Sequence, residues 1–133
     1  MELDTFNLAV IVDDERVDQM LTERALEKSG LFKKVLCFVS AEEAIDALTA
    51  EPKIRPDLLL LDINLPGMSG IEFLGVAQSR LEPAFTRSLG LLLTNPLLEH
   101  ERQTVERMLM TVHEFRKPIG PEDLDTIKRS LNA

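Results

Sequence analysis

The sequence predicts an α/β protein: a five-stranded parallel sheet, doubly wound, with helices on both faces. Three observations carry this. Short unbroken apolar runs occur at residues 8–12, 35–39, 58–61 and 89–93, with a more polar fifth at Val112–Arg116. Stretches of helical periodicity separate these runs. A polar residue closes each run. Strands that stay apolar without alternation are buried on both faces, which helices on either side of a parallel sheet bring about. The order is βαβαβαβαβα over 133 residues. That length suits one compact domain, expected to span residues 1–133.

Each element has its own signal. The first run ends in Asp13-Asp14. Val17, Met20, Leu21 and Ala25 then fall at i, i+3, i+4 and i+8, a helical apolar stripe that Gly30 terminates. After the second strand, Ser40 and Glu43 form a capping box, and Ala41, Ala44, Ile45 and Leu48 mark one face of the helix that follows. Pro52 and Pro56 bracket a loop. The third strand ends in Asp62, and residues 64–70, Asn-Leu-Pro-Gly-Met-Ser-Gly, are turn chemistry. A helix is expected from Gly70 to about Arg80. The fourth strand ends in Thr94. Pro96 opens a helical stretch with Leu98, Arg102, Val105 and Leu109 in register. Pro121 suits the first turn of a last helix whose face is Leu124, Ile127 and Leu131.

Composition removes several function classes. Formal net charge is −8, the wrong sign for a nucleic-acid footprint. No apolar run is long enough to cross a bilayer, and the acidic N-terminus lacks a basic leader, so a cytoplasmic protein is expected. The single cysteine, Cys37, lies in an apolar run and reads as a small buried residue. His100 and His113 lack partners at zinc-ligand spacing, and Met108 and Met110 read as gap fillers. Glu99, Glu101, Arg102, Glu106 and Arg107 read as a solvated helix face.

Ligands of open parallel sheets bind beyond the carboxyl ends of the strands. That singles out Asp13, Asp14, Asp62, Thr94 and Lys117. Grouped carboxylates repel unless a cation lies among them, and hard oxygen donors suit Mg²⁺. An ionised aspartate can attack phosphorus without a general base, provided that positive charge offsets the repulsion between two anions. Lys117 offers such a charge and Thr94 a hydroxyl donor. Each residue alone has a plainer reading: Asp13-Asp14 as a helix cap, Asp62 and Lys117-Pro118 as turn residues, Thr94 as a strand-end cap. Their joint placement at successive strand ends favours a site.

Four pieces carry a resemblance: Val10-Ile-Val-Asp-Asp-Glu15, Leu59-Leu-Leu-Asp-Ile-Asn-Leu-Pro-Gly-Met-Ser-Gly70, Leu92-Leu-Thr94 and Lys117-Pro118. In this order the chain resembles the receiver domain of two-component response regulators, close to the single-domain chemotaxis type. The resemblance implies a flavodoxin-like fold and a phosphoacceptor at Asp62, which becomes 4-aspartylphosphate by transfer from a sensor histidine kinase or a histidine phosphotransfer protein. It implies Mg²⁺ held by Asp14 directly, Asp13 through water, Asp62, and the main-chain carbonyl of Asn64. Lys117 would contact Asp62 and then the phosphoryl group, its bond to Pro118 cis, and Thr94 would move toward the phosphoryl group. Such a chain is no metabolic enzyme; it catalyses only its own phosphorylation and dephosphorylation. The face of the fourth helix, fifth strand and fifth helix would bind an unknown output protein, with the chain a monomer or weak dimer.

The match departs from the family at the fifth strand. An aromatic is usual three residues before the lysine, where this chain has Glu114. A one-residue gap would align Phe115 instead. Asn95-Pro96 follows Thr94 in place of the usual small residue, which would stiffen that loop. Two other functions compete. An aspartate-nucleophile phosphatase needs a second aspartate two residues after Asp62, and Asn64 cannot protonate a leaving group. A pseudo-receiver would bind partners unphosphorylated.

Overall fold

A computed structural model describes residues 2–81 and 85–133. The elements are β1 (Phe6–Val12), α1 (Arg16–Ser29), β2 (Phe32–Phe38), α2 (Ala41–Thr49), β3 (Leu58–Asp62), α3 (Gly70–Arg80), β4 (Ser88–Leu93), α4 (Glu99–Glu106), β5 (Val112–Arg116) and α5 (Pro121–Leu131). The strands form one parallel sheet in the order β2-β1-β3-β4-β5. The predicted α/β fold is therefore present. The order reverses at β1 and β3, and the carboxyl ends of those neighbours hold Asp13 and Asp62.

Alternate residues of each strand feed two cores. Val10, Val12, Leu59, Leu61, Leu89, Leu91 and Leu93 pack against the buried faces of α2 and α3, with Val105 of α4 at the margin. Ala9, Ile11, Leu58, Leu60, Leu92 and Phe115 face the other way, against Leu26 of α1 and Ile127 and Leu131 of α5. Burial on both faces explains why these strands do not alternate in polarity.

The caps follow the sequence closely. The Ser40 hydroxyl accepts from the Glu43 amide at 3.1 Å, and the Glu43 carboxylate accepts from the Val39 amide at 3.3 Å. Ser69 caps α3 in the same way, accepting from the Glu72 amide. Gly30 ends α1 at φ 69°, the left-handed conformation that glycine adopts without steric cost. Ala41, Ala44, Ile45 and Leu48 are all buried, as predicted.

Three expectations are corrected. The stripe Val17, Met20 and Leu21 does not face the sheet; all three are exposed, and α1 buries Thr22 and Leu26 instead. Thr22 tolerates burial because its hydroxyl donates to the Asp18 carbonyl one turn back. The helix after Thr94 starts at Glu99 rather than Pro96 and buries no residue, with Leu98 and Leu109 both exposed. Its N-terminus is tied by the Leu98 amide, which donates to Glu101 at 2.7 Å. β2 also starts earlier than the run 35–39, because Phe32 pairs with Phe6 of β1.

Candidate functional site

The site lies at the carboxyl edge of the sheet. Asp13 directly follows β1 and is fully buried, whereas Asp14 is exposed. Asp13 does not serve as an N-cap of α1. That position is held by Glu15, whose side chain makes no capping bond and whose amide donates to Asp13 Oδ1 at 3.0 Å. Asp62 closes β3 with 4% exposure and accepts at Oδ1 from the Asn64 amide at 3.0 Å. One carboxylate oxygen from each of Asp13, Asp14 and Asp62 lies within 4.8 Å of the other two.

The loop after Asp62 is anchored to the core through Leu65 and Met68, and Gly67 turns it at φ 75°. The Gly70 amide then donates to the Ile63 carbonyl at 3.0 Å. A Cβ at Gly70 would sit 2.7 Å from the Asp62 carbonyl oxygen and 2.7 Å from Ile63 Cα. The start of α3 is therefore pressed directly against the backbone that presents Asp62.

Lys117 reaches in from the end of β5, its amide donating to the Leu93 carbonyl at 3.0 Å. Its Nζ donates to Asp13 Oδ2 at 2.9 Å, Asp62 Oδ2 at 3.0 Å and Asp18 Oδ2 at 3.1 Å. The Lys117–Pro118 bond is cis. Burial works against the lysine charge, but the bonds and charges of Asp13 and Asp62 outweigh it and raise the ammonium well above its ordinary pKa. Burial pushes the Asp13 carboxyl up to about 6, against the lowering effect of Lys117, and the neighbouring Asp62 charge adds to the rise. The cluster thus holds more negative charge than one lysine balances.

Thr94 is exposed and lines, with Asp18, Leu21, Thr22, Lys117 and Pro118, an open cavity of about 260 Å³. Asn64 is exposed beside Asp62, with its amide on the Asp62 carboxylate. Every residue singled out from the sequence therefore stands at this edge, and Lys117 directly joins Asp13, Asp62 and the first turn of α1. Asp18 was missed. An acidic residue in a first helical turn is commonplace, and nothing local says that it meets a lysine 99 positions away. Gln19 was missed too; its amide donates to the carbonyls of Asp13 and Phe38, tying α1 to the ends of β1 and β2.

The fifth-strand question is answered by register. β5 pairs without a bulge from Leu89–Val112 to Leu93–Arg116. No gap brings Phe115 to the expected aromatic position. Phe115 points into the α1–α5 core, where a Cβ on Gly90 would meet its ring at 2.5 Å. Glu114 lies on the other face and pairs with Arg102 of α4 at 3.4 Å.

Away from the site, His113 bonds Ser130 at 3.1 Å and stacks on Phe115. Burial, with the charges of Glu23 and Glu27, raises the Cys37 thiol to about 12, so it stays protonated. No helix among the described residues is long and apolar enough to cross a membrane.

Comparison with known proteins gives the same reading. The curated relatives include sporulation initiation phosphotransferase F of Bacillus subtilis, 28% identical over 123 residues, covering 92% of this chain and 91% of that protein. Others match locally. The DNA-binding transcriptional regulator NtrC of Klebsiella pneumoniae is 41% identical over 55% of this chain, and the sensory/regulatory protein RpfC of Xanthomonas campestris is 37% identical over 49%. The chain spans only 14% and 8% of the lengths of those two relatives.

Among solved structures, a two-component response regulator from Legionella pneumophila superposes with TM-score 0.75 at 27% identity, over 95% of this chain and 98% of that one. A two-component response regulator from Cytophaga hutchinsonii reaches TM-score 0.82 over 96% and 97% at 17% identity, a likeness of fold. The model of the response regulator receiver domain matches residues 9–83, which include Asp13, Asp14 and Asp62. The chain belongs to the response regulator receiver domain family.

Proposed function

We propose that residues 1–133 act as one phosphoacceptor receiver in which Asp62 takes a phosphoryl group from a phosphohistidine of a sensor kinase or phosphotransfer protein. The observation that carries this reading is the Asp62 carboxylate, nearly buried at the switch point of the sheet. One of its oxygens is bonded by Lys117, and two further aspartates lie within reach. An Asp62 carboxylate oxygen attacks phosphorus, the P–N bond breaks with its electron pair going to the imidazole nitrogen, and an acyl phosphate forms. A carboxylate attacks through an oxygen that carries no proton to be removed, so no general base is needed. Lys117, already directed at Asp62, meets the incoming negative charge. The Thr94 hydroxyl, at the cavity mouth, is available to a phosphoryl oxygen.

The donor set fits Mg²⁺: three hard carboxylates, one fully buried and pushed toward its protonated form by its surroundings. Asp13, Asp14, Asp62 and the Asn64 carbonyl would hold the ion, which would supply charge neutralisation and orientation for phosphoryl transfer. The Bacillus relative is named a phosphotransferase, which supports phosphoryl carriage as the activity. The acidic net charge and the absence of a membrane-length helix among the described residues fit a cytoplasmic signalling protein without nucleic-acid contacts of its own.

Output does not run through an aromatic three residues before Lys117, because Glu114, paired with Arg102, occupies that position. The face of α4, β5 and α5 remains the surface proposed for the output partner.

Intact mass measurement after acetyl phosphate treatment tests the assignment. Wild type gains one phosphoryl mass with Mg²⁺ and none with a chelator, and Asp62→Asn gains none. An adduct that survives in Asp62→Asn, or none in wild type, overturns it.

A further inference from the structure

We propose that Asp18 is a positioning residue for Lys117, one that competes with an incoming phosphoryl group for the ammonium and so slows phosphorylation of Asp62. The proposal rests on the phosphoacceptor reading above. A lysine has three N–H donors. Here they go to three carboxylates, Asp13 at 2.9 Å, Asp62 at 3.0 Å and Asp18 at 3.1 Å. Asp13 and Asp62 belong to the buried edge of the sheet. Asp18 comes from the first turn of α1, its side chain 35% exposed, and it lines the open cavity beside Thr94 and Pro118.

The donor on the side of this cavity is thus taken by a carboxylate rather than left for a ligand. When Asp62 becomes an acyl phosphate, its own bond to Lys117 is remade with the phosphoryl group. The Asp18 bond opposes this, because it holds the ammonium toward α1 and offsets part of its charge. The acidic side chain plays no part in the α1 core. Thr22 bonds the Asp18 main-chain carbonyl, which a side-chain substitution leaves in place.

The test uses the whole chain, acetyl phosphate and Mg²⁺, in wild type, Asp18→Asn, Asp18→Glu and, as a second charge-removing variant, Asp18→Ser. Asp125→Asn, on the exposed face of α5, is the control. Initial phosphorylation rates come from intact mass spectra, and the ¹⁵N resonance of the Lys117 ammonium is followed by NMR. Asp18→Asn and Asp18→Ser are expected to be phosphorylated roughly threefold to fivefold faster, the scale of a partly exposed ion pair. Asp18→Glu stays near wild type, and the Lys117 resonance moves only in the charge-removing variants. Equal rates in wild type and both charge-removing variants overturn the proposal. A faster rate with an unmoved Lys117 resonance also overturns it, since the carboxylate would then repel the donor directly. Absence of any adduct in wild type is the separate result that removes the phosphoacceptor reading, and this inference with it.

Discussion

Replacing Gly70 with alanine adds one methyl group behind Asp62, and the structure sets its cost. The new carbon would lie 2.7 Å from the Asp62 carbonyl oxygen, 2.7 Å from Ile63 Cα and 3.2 Å from the Asp62 carbonyl carbon. All three are backbone atoms, so no rotamer change relieves the contact. Reaching ordinary separation near 3.5 Å requires α3 or the end of β3 to move by somewhat less than about 1 Å. Both are held: the Gly70 amide bonds the Ile63 carbonyl, the Ile63 amide bonds the Leu92 carbonyl, and Phe73 and Leu74 one turn on are fully buried. Overpacking of a close-packed interior costs about 1–3 kcal/mol, and backbone contacts belong at the upper end. The better helix propensity of alanine returns less than about 1 kcal/mol. The net is about 2 kcal/mol, or a melting temperature lower by roughly 8 °C for a chain of this size. The chain has no Trp and no Tyr, so urea and thermal unfolding are followed by far-ultraviolet circular dichroism. The movement falls on the backbone of Asp62, so phosphorylation by acetyl phosphate should slow as well. A Gly70→Ala protein within about 0.5 kcal/mol of wild type would show that the close approach is not enforced, and the reasoning fails.

Two other predictions address the corrected helix and the buried charge. Leu26→Ala removes a fully buried side chain and should cost about 2–5 kcal/mol, whereas Leu21→Ala, on the exposed stripe, should cost less than about 0.5 kcal/mol; urea midpoints of the two variants decide which stripe of α1 faces the sheet. The Asp13 carboxyl is raised in the folded state from 3.8 to about 6, chiefly by burial. The folded protein therefore binds a proton that the unfolded chain lacks between those values, and the Asp13 contribution makes the fold more stable as pH falls from about 6 to about 4. The gain is on the order of 2 kcal/mol. Measured in chelator, the stability of wild type minus that of Asp13→Asn should shift toward wild type over this window; a shift in the opposite direction refutes the burial argument.

Much of this protein was legible from local rules. Unbroken apolar runs specify strands buried on both faces, and Ser40 with Glu43 and Gly30 specify helix ends, because those signals arise within a few residues of one another. Asp13, Asp62 and Lys117 could be placed at one edge without coordinates, since every parallel strand of such a sheet ends on the same side. Tertiary structure alone decided which stripe of α1 is buried. Val17-Met20-Leu21 and Thr22-Leu26 lie on adjacent sides of one helix, and only its packing against the sheet selects between them. It alone decided that Phe115 faces α5 while Glu114 faces α4, because a strand's side chains alternate and only pairing register says which set points where. It alone brought Asp18 to Lys117, across 99 residues of chain. Periodicity and capping act over one or two turns, whereas the meeting of distant side chains depends on how whole elements pack.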